Sequence, residues 1–233
     1  MNITGKRVLV TGGSSGIGLA LVRILLAKGA KVAISGRCPE AVAKAVRSLQ
    51  TRTADIHGIT SDVVAADGGD VRLEQALAAL GGLDVLVNNA GRARADRLEN
   101  MDEAELQAVI DVTAPILLTR AALPLLRDSG DAMVVNVSSR SALLGAPFHA
   151  TYDAVKIGLA HFGEALRREL KRKGIHVLTV YPEGMDMPMM KSNRAGPEAG
   201  VLREPASAIA EAIVGGMETG AFQVIRCGQI RLR

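Results

Sequence analysis

Short runs of β-branched and aliphatic residues alternate along this chain with longer segments whose apolar positions recur every three or four residues. The short runs predict strands at Arg7–Val10, Lys31–Ser35, His57–Thr60, Asp84–Val87, Met133–Val137, Ile175–Val180 and Phe222–Ile225. The longer segments predict helices at Ile17–Lys28, Glu40–Leu49, Leu73–Leu80, Asp102–Leu126, Tyr152–Lys173 and Pro205–Glu218. Strands that are apolar on both faces need cover on both sides, so the pattern predicts a doubly wound α/β fold with a parallel sheet between helical layers. Right-handed crossovers follow, and ligands in such sheets bind at the carboxyl ends of the strands where the winding reverses.

Composition narrows the picture. The 233 residues contain no Pro/Ser-rich stretch or charge run that would divide them, so one domain is expected over residues 1–233. No apolar run reaches the ~18 to 20 residues that span a bilayer, and Lys6 and Arg7 interrupt the amino terminus before a signal sequence could form. A cytoplasmic protein with no membrane partner is the expectation. Cys38 and Cys227 form neither a CxxC pair nor a Cys/His ligand spacing, so neither a disulfide framework nor a metal site is expected. The net charge of +4 is spread along a chain with only 2% aromatic residues, which argues against nucleic acid as a partner.

Every unusual motif falls at a predicted strand end. The first strand runs into TGGSSGIG, Thr11 to Gly18, ahead of an apolar helix. Gly12 and Gly16 permit a tight turn and close ligand approach, Gly18 lets the helix pack near the sheet, and the free amides at the helix start suit a pyrophosphate. Ser14, Ser15 and Ile17 belong to the same dinucleotide-binding turn. The second strand ends AISGRC, with Arg37 where an NAD-preferring site places an acidic residue. A guanidinium there pairs with a 2′-phosphate, so NADP is expected ahead of NAD. Asp62 and Val63, after the third strand, are assigned to the adenine. The fourth strand ends NNAG, in which Asn89, Ala90 and Gly91 leave space beside a ribose. Tyr152, thirteen residues after Ser139, and Lys156 stand one helical turn apart on one face.

In this order, Thr11-Gly12-x-x-x-Gly16-x-Gly18, Asn88-Asn89-Ala90-Gly91, Ser139 and Tyr152-x-x-x-Lys156 resemble the classical short-chain dehydrogenase/reductases over essentially the whole length. The resemblance implies a Rossmann-type, seven-stranded, mainly parallel sheet flanked by helices. It implies an NADP(H)-dependent oxidoreductase that interconverts a carbonyl and a secondary alcohol by hydride transfer. Tyr152 would be the general acid and base, Ser139 would hydrogen-bond the substrate oxygen, and Lys156 would reach the nicotinamide ribose. A free phenol with a pKa of about 10 is poorly matched to neutral pH, and a nearby ammonium such as that of Lys156 would lower it. Pro182 and Gly184 would border the nicotinamide. A homodimer or homotetramer is implied, with Asp102–Leu126 and Tyr152–Lys173 as the pairing helices; Leu159, Phe162 and Leu166 fit either such an apolar stripe or packing on the sheet.

The chain departs from the family pattern at three places. The helix asparagine that supports a water path to the lysine aligns with Asp111 or with Thr113, Glu183 stands between Pro182 and Gly184, and Met187 replaces a threonine. These changes favour an alternative, a nucleotide-binding relative with little or no turnover that serves as a redox sensor or scaffold. Residues 184–204 are expected to form a short substrate lid, rich in methionine. His149, three residues before Tyr152, fits either the mouth of the site or a solvent-exposed loop, and the exposed loop is the reading preferred.

Overall fold

The computed structural model describes residues 1–61, 68–91, 96–103, 112–183 and 204–226. Strands β1 (Arg7–Thr11), β2 (Lys31–Gly36) and β3 (Asp55–Thr60) alternate with helices α1 (Gly16–Ala27), α2 (Pro39–Leu49) and α3 (Gly68–Leu80). Then follow β4 (Val85–Asn88), a 3₁₀ turn at Leu98–Asn100, α4 (Thr113–Ser129), β5 (Ala132–Val137) and a short helix α5 (Ser141–Leu144). The chain continues through α6 (Ala150–Leu170), β6 (Ile175–Tyr181), α7 (Ala206–Thr219) and β7 (Gln223–Ile225). The sheet order is β3-β2-β1-β4-β5-β6-β7 and every pairing is parallel, so the winding reverses between β1 and β4.

Side chains alternate across the pleat and divide the core in two. Val8 and Val10 of β1 face a layer containing Leu21, Leu25, Ile209 and Ile213, while Leu9 faces a layer containing Leu73, Leu118, Leu126 and Leu170. All of β4 and β5 is buried, as expected of central strands covered on both faces. At the opposite end of the sheet from the glycine turn, Asp84 accepts hydrogen bonds from the Arg7 backbone N–H at 2.8 Å, from Arg7 Nε at 2.9 Å and from Arg7 Nη2 at 2.7 Å. Ser129 Oγ adds a fourth donor at 2.6 Å. Burial pushes the Asp84 carboxyl up, but these donors and the guanidinium charge outweigh it and leave the pKa at about 2.

All seven predicted strands are present, with ends displaced by a residue or two. Helix α6 begins at Ala150 and stops at Leu170, short of the expected Lys173, and α4 continues through Pro124 to Ser129, beyond the expected Leu126. Residues 104–111 of the predicted Asp102–Leu126 helix, Asp111 among them, lie outside the described residues, as do Asp62, Val63, Gly184, Met187 and nearly all of the expected 184–204 lid. Leu159 and Leu166 are buried in the chain's own core and Phe162 packs against it, so this stripe covers the sheet.

Candidate active site

The site begins with the turn after β1. Gly12 and Gly16 adopt positive φ of 66° and 55°, a conformation that favours glycine. At Gly18 a Cβ would lie 2.4 Å from the Gly12 carbonyl oxygen, so only glycine lets α1 approach the turn this closely. Gly13, which the motif reading passed over, is equally constrained, since a Cβ there would lie 2.7 Å from Ile34. Ser15 caps α1 in extended conformation without a side-chain cap bond, and the first helical turn carries no acidic residue. Its amides and the positive end of the helix dipole are therefore available to a diphosphate. Ser14 packs beside the end of β2, where a Cβ on Gly36 would lie 3.2 Å from Ser14 Oγ. Arg37 follows, exposed.

Across the switch point, Thr11 ties β1 to the turn after β4. Its Oγ1 donates to the Val87 carbonyl at 3.1 Å and accepts from the backbone N–H groups of Asn89 and Ala90, each at 3.0 Å. Asn89 Nδ2 returns a bond to the Thr11 carbonyl at 2.9 Å. A Cβ on Gly12 would lie 3.0 Å from Ala90 Cα, and one on Gly91 would lie 3.2 Å from Lys156 Nζ. The two turns thus form a narrow cradle that side chains would fill, which fits a dinucleotide lying across it.

The third wall is the junction of β5 and α6. The buried stripe of α6 runs Asp153, Lys156, Leu159, Ala160, Gly163, Leu166 and Leu170, polar where it meets the carboxyl ends of the strands and apolar below. Ser138 Oγ donates to the Lys156 carbonyl at 2.7 Å, and Lys156 Nζ donates to the Val137 carbonyl at 2.8 Å. Ser138 therefore points away from Ser139 and fastens the helix to the strand. Lys156 Nζ lies 5.8 Å from the centre of the Tyr152 ring. Burial lowers the Lys156 pKa to about 8.

Tyr152 departs from expectation. Burial raises the pKa of its phenol, a hydrogen bond with Ser139 opposes the rise, and the Asp153 carboxylate adds to it. Lys156 was expected to pull this pKa down; instead its ammonium is directed to the Val137 carbonyl. The His149 ring stands edge-on to Tyr152 with 6.2 Å between centres, while Nδ1 donates to the Pro147 carbonyl at 2.9 Å. His149 thus stands beside Tyr152 with its ring partly exposed. Thr113 is exposed at the start of α4.

On the far side of Ser139, Arg140 N donates to the Pro182 carbonyl at 2.8 Å, and the Arg140 guanidinium forms an ion pair with Glu183. Both side chains are largely buried. The carboxylate that interrupts the Pro-Gly pattern is therefore held by a cation from the neighbouring strand end. Sequence reasoning identified Glu183 but missed Arg140, whose partner is distant in sequence.

Comparison with known proteins defines the class. Residues 6–198 match the family described as short chain dehydrogenase, and the chain belongs to it. It is 32% identical over 198 residues to a 3-oxoacyl-[acyl-carrier-protein] reductase of Synechocystis sp., covering 84% of this chain and 80% of that protein. It is 29% identical over 227 residues to the ketoacyl reductase HetN of Nostoc sp., covering 96% and 79%. It is also 35% identical over 189 residues to 3-dehydrosphinganine reductase TSC10B of Arabidopsis thaliana, covering 78% of this chain but only 56% of that protein's length. The fold matches a Burkholderia phymatum short chain dehydrogenase/reductase in complex with NAD, with a TM-score of 0.88 and 21% identity over 97% of this chain and 90% of that one. It matches a Brucella melitensis 3-ketoacyl-(acyl-carrier-protein) reductase complexed with NADH equally well, with a TM-score of 0.88 and 24% identity over 99% and 100%. The protein is an oxidoreductase of the short chain dehydrogenase family with a Rossmann-type fold.

Proposed function

We propose that the protein is an NADP(H)-dependent reductase of a ketone carbonyl in an acyl substrate, with Tyr152 as the proton donor. The observation that carries this reading is that Ser139, Tyr152 and Lys156 converge beside the glycine cradle at one end of the sheet. The acyl class comes from the ketoacyl reductases among its relatives. When bound, the reduced nicotinamide would supply one hydride to the carbonyl carbon. Tyr152 gives its phenolic proton to the carbonyl oxygen and recovers a proton from solvent. Ser139 turns its hydroxyl to that oxygen as negative charge develops. Lys156, anchored to Val137, places a cation under the phenol and faces the ribose side of the cradle near Gly91. Gly12, Ser14, Ser15, Gly16, Ile17 and Gly18 hold the diphosphate, and Arg37 takes the 2′-phosphate. Asn89, Ala90 and Gly91 line the ribose, and Pro182 borders the nicotinamide. The Arg140 partner of Glu183 supports turnover over a sensor or scaffold role, because the intruding carboxylate is neutralised.

Fluorescence titration with NADPH and with NADH tests the cofactor half of this reading. NADPH is expected to bind at least about tenfold more tightly, a difference of ~1.4 kcal/mol, and Arg37→Asp is expected to remove that preference. Equal binding of the two in the natural chain, or an unchanged preference in the variant, overturns the assignment.

A further inference from the structure

Among the described residues, Phe148 alone takes a positive φ without being glycine, at 65°. This is left-handed backbone, which a phenylalanine side chain disfavours and a glycine adopts freely. The surrounding loop holds it there. Gly145 also turns through a positive φ, 67°, the Asp153 carboxylate accepts the Ala146 N–H at 2.9 Å, and the Phe148 carbonyl accepts the Asp96 N–H at 3.0 Å. The fold gains little packing in return, because Phe148 remains 46% exposed. A strained residue whose ring packs on so little of its own chain points to a partner from outside it.

The ring borders a groove. Asp96, Arg97, Leu98, Glu99, Phe148 and Ala150 line an open space of about 510 Å³, within the range of small-molecule sites. Polar groups of this lining are engaged with one another or with the adjoining turn. Asp96 Oδ1 accepts from the Arg97 N–H at 2.8 Å and from Asn100 Nδ2 at 3.4 Å, and Arg97 Nη1 pairs with Glu99 at 3.6 Å. The Arg97 guanidinium carbon also lies 6.0 Å from the centre of the Phe148 ring. The surface left for a ligand is therefore mainly apolar, with Leu98 on the opposite wall 60% exposed. The groove adjoins the catalytic end of α6. Ala150 is the first residue of that helix, and the ring of His149, between Phe148 and Ala150, stands 6.2 Å from the Tyr152 ring.

We propose that Phe148 is a specificity-determining residue and that the groove between it and Leu98 receives the alkyl chain of an acyl substrate, so that longer chains are preferred. The identity of this occupant rests on the function proposed above; the groove and the strain at Phe148 do not. A short acyl group held at Tyr152 ends beside His149, whereas a long one extends past it and covers the phenylalanine ring.

Calorimetric titration of the purified chain with butanoyl-coenzyme A and with dodecanoyl-coenzyme A tests this without turnover. The dodecanoyl thioester is expected to bind at least about tenfold more tightly, through apolar surface that the butanoyl group leaves uncovered. Phe148→Gly is expected to unfold at no lower a temperature, since glycine accepts the same backbone, and to cut the preference to about threefold or less by removing one wall. Leu98→Ala, a truncation at an exposed position on the other wall, is expected to reduce it about threefold. A natural chain that binds the two thioesters equally, or a Phe148→Gly chain that keeps the full preference, overturns the proposal. If Phe148→Gly fails to fold, the preference in Leu98→Ala decides alone, and an unchanged value there overturns it. These titrations need neither NADPH nor reduction, so failure here is distinct from failure of the proposed function.

Discussion

Replacing Lys156 by methionine should stabilise the fold while removing function. The ammonium is 7% exposed and its pKa falls from 10.5 to about 8 through burial. At ~1.4 kcal/mol per pKa unit, the buried charge costs about 3 kcal/mol at neutral pH. Methionine has similar length and no charge, but it leaves the Val137 carbonyl without its Nζ donor, a loss of about 1 kcal/mol. Lys156→Met is therefore expected to be about 2 kcal/mol more stable than the natural chain at pH 7. Between about pH 8 and 10.5 the folded lysine releases its proton while the unfolded lysine keeps it, so the natural chain gains stability with rising pH. The advantage of the variant should accordingly shrink across that window. Urea unfolding followed by circular dichroism at pH 7 and pH 9.5 measures both quantities. A variant no more stable at pH 7, or an advantage unchanged at pH 9.5, would refute the buried-charge reasoning.

Two further outcomes follow from the same geometry. Asp84 has its pKa lowered from 3.8 to about 2, so Asp84→Asn should cost about 2 kcal/mol at neutral pH; the natural chain should lose that increment as pH falls from about 4 towards 2, and acid unfolding of the variant should lack this step. Arg140→Ala exposes the Glu183 charge beside the proposed nicotinamide site and should weaken NADPH binding about tenfold, or ~1.4 kcal/mol, whereas Arg140→Ala combined with Glu183→Gly should recover most of it. Fluorescence titration of both variants checks this, and purely additive losses would remove the pair from the site.

The fold was legible because buried parallel strands write themselves as short apolar runs, and the glycine turn because its steric demands admit no other residue at Gly18. Tyr152, Lys156 and Ser139 were legible by spacing and order. Their electrostatics were not. The spacing of Tyr152 and Lys156 suggests an ammonium tuning a phenol, yet the tertiary structure directs Lys156 to a strand carbonyl, and burial with the Asp153 charge raises the phenol's pKa. Glu183 read as an intrusion because its partner, Arg140, lies on another strand end, far away in sequence. Leu159 and Leu166 fitted a subunit interface or the sheet equally well until packing assigned them to the sheet.

The central claim is that this chain reduces a ketone with Tyr152 as the acid. The most direct test follows loss of NADPH absorbance with acetoacetyl-coenzyme A, comparing the natural chain with Tyr152→Phe. The account predicts turnover by the natural chain, and a loss of at least about 10²-fold in the variant with NADPH binding unchanged. Turnover that survives in Tyr152→Phe, or no turnover by a natural chain that binds NADPH, would contradict it.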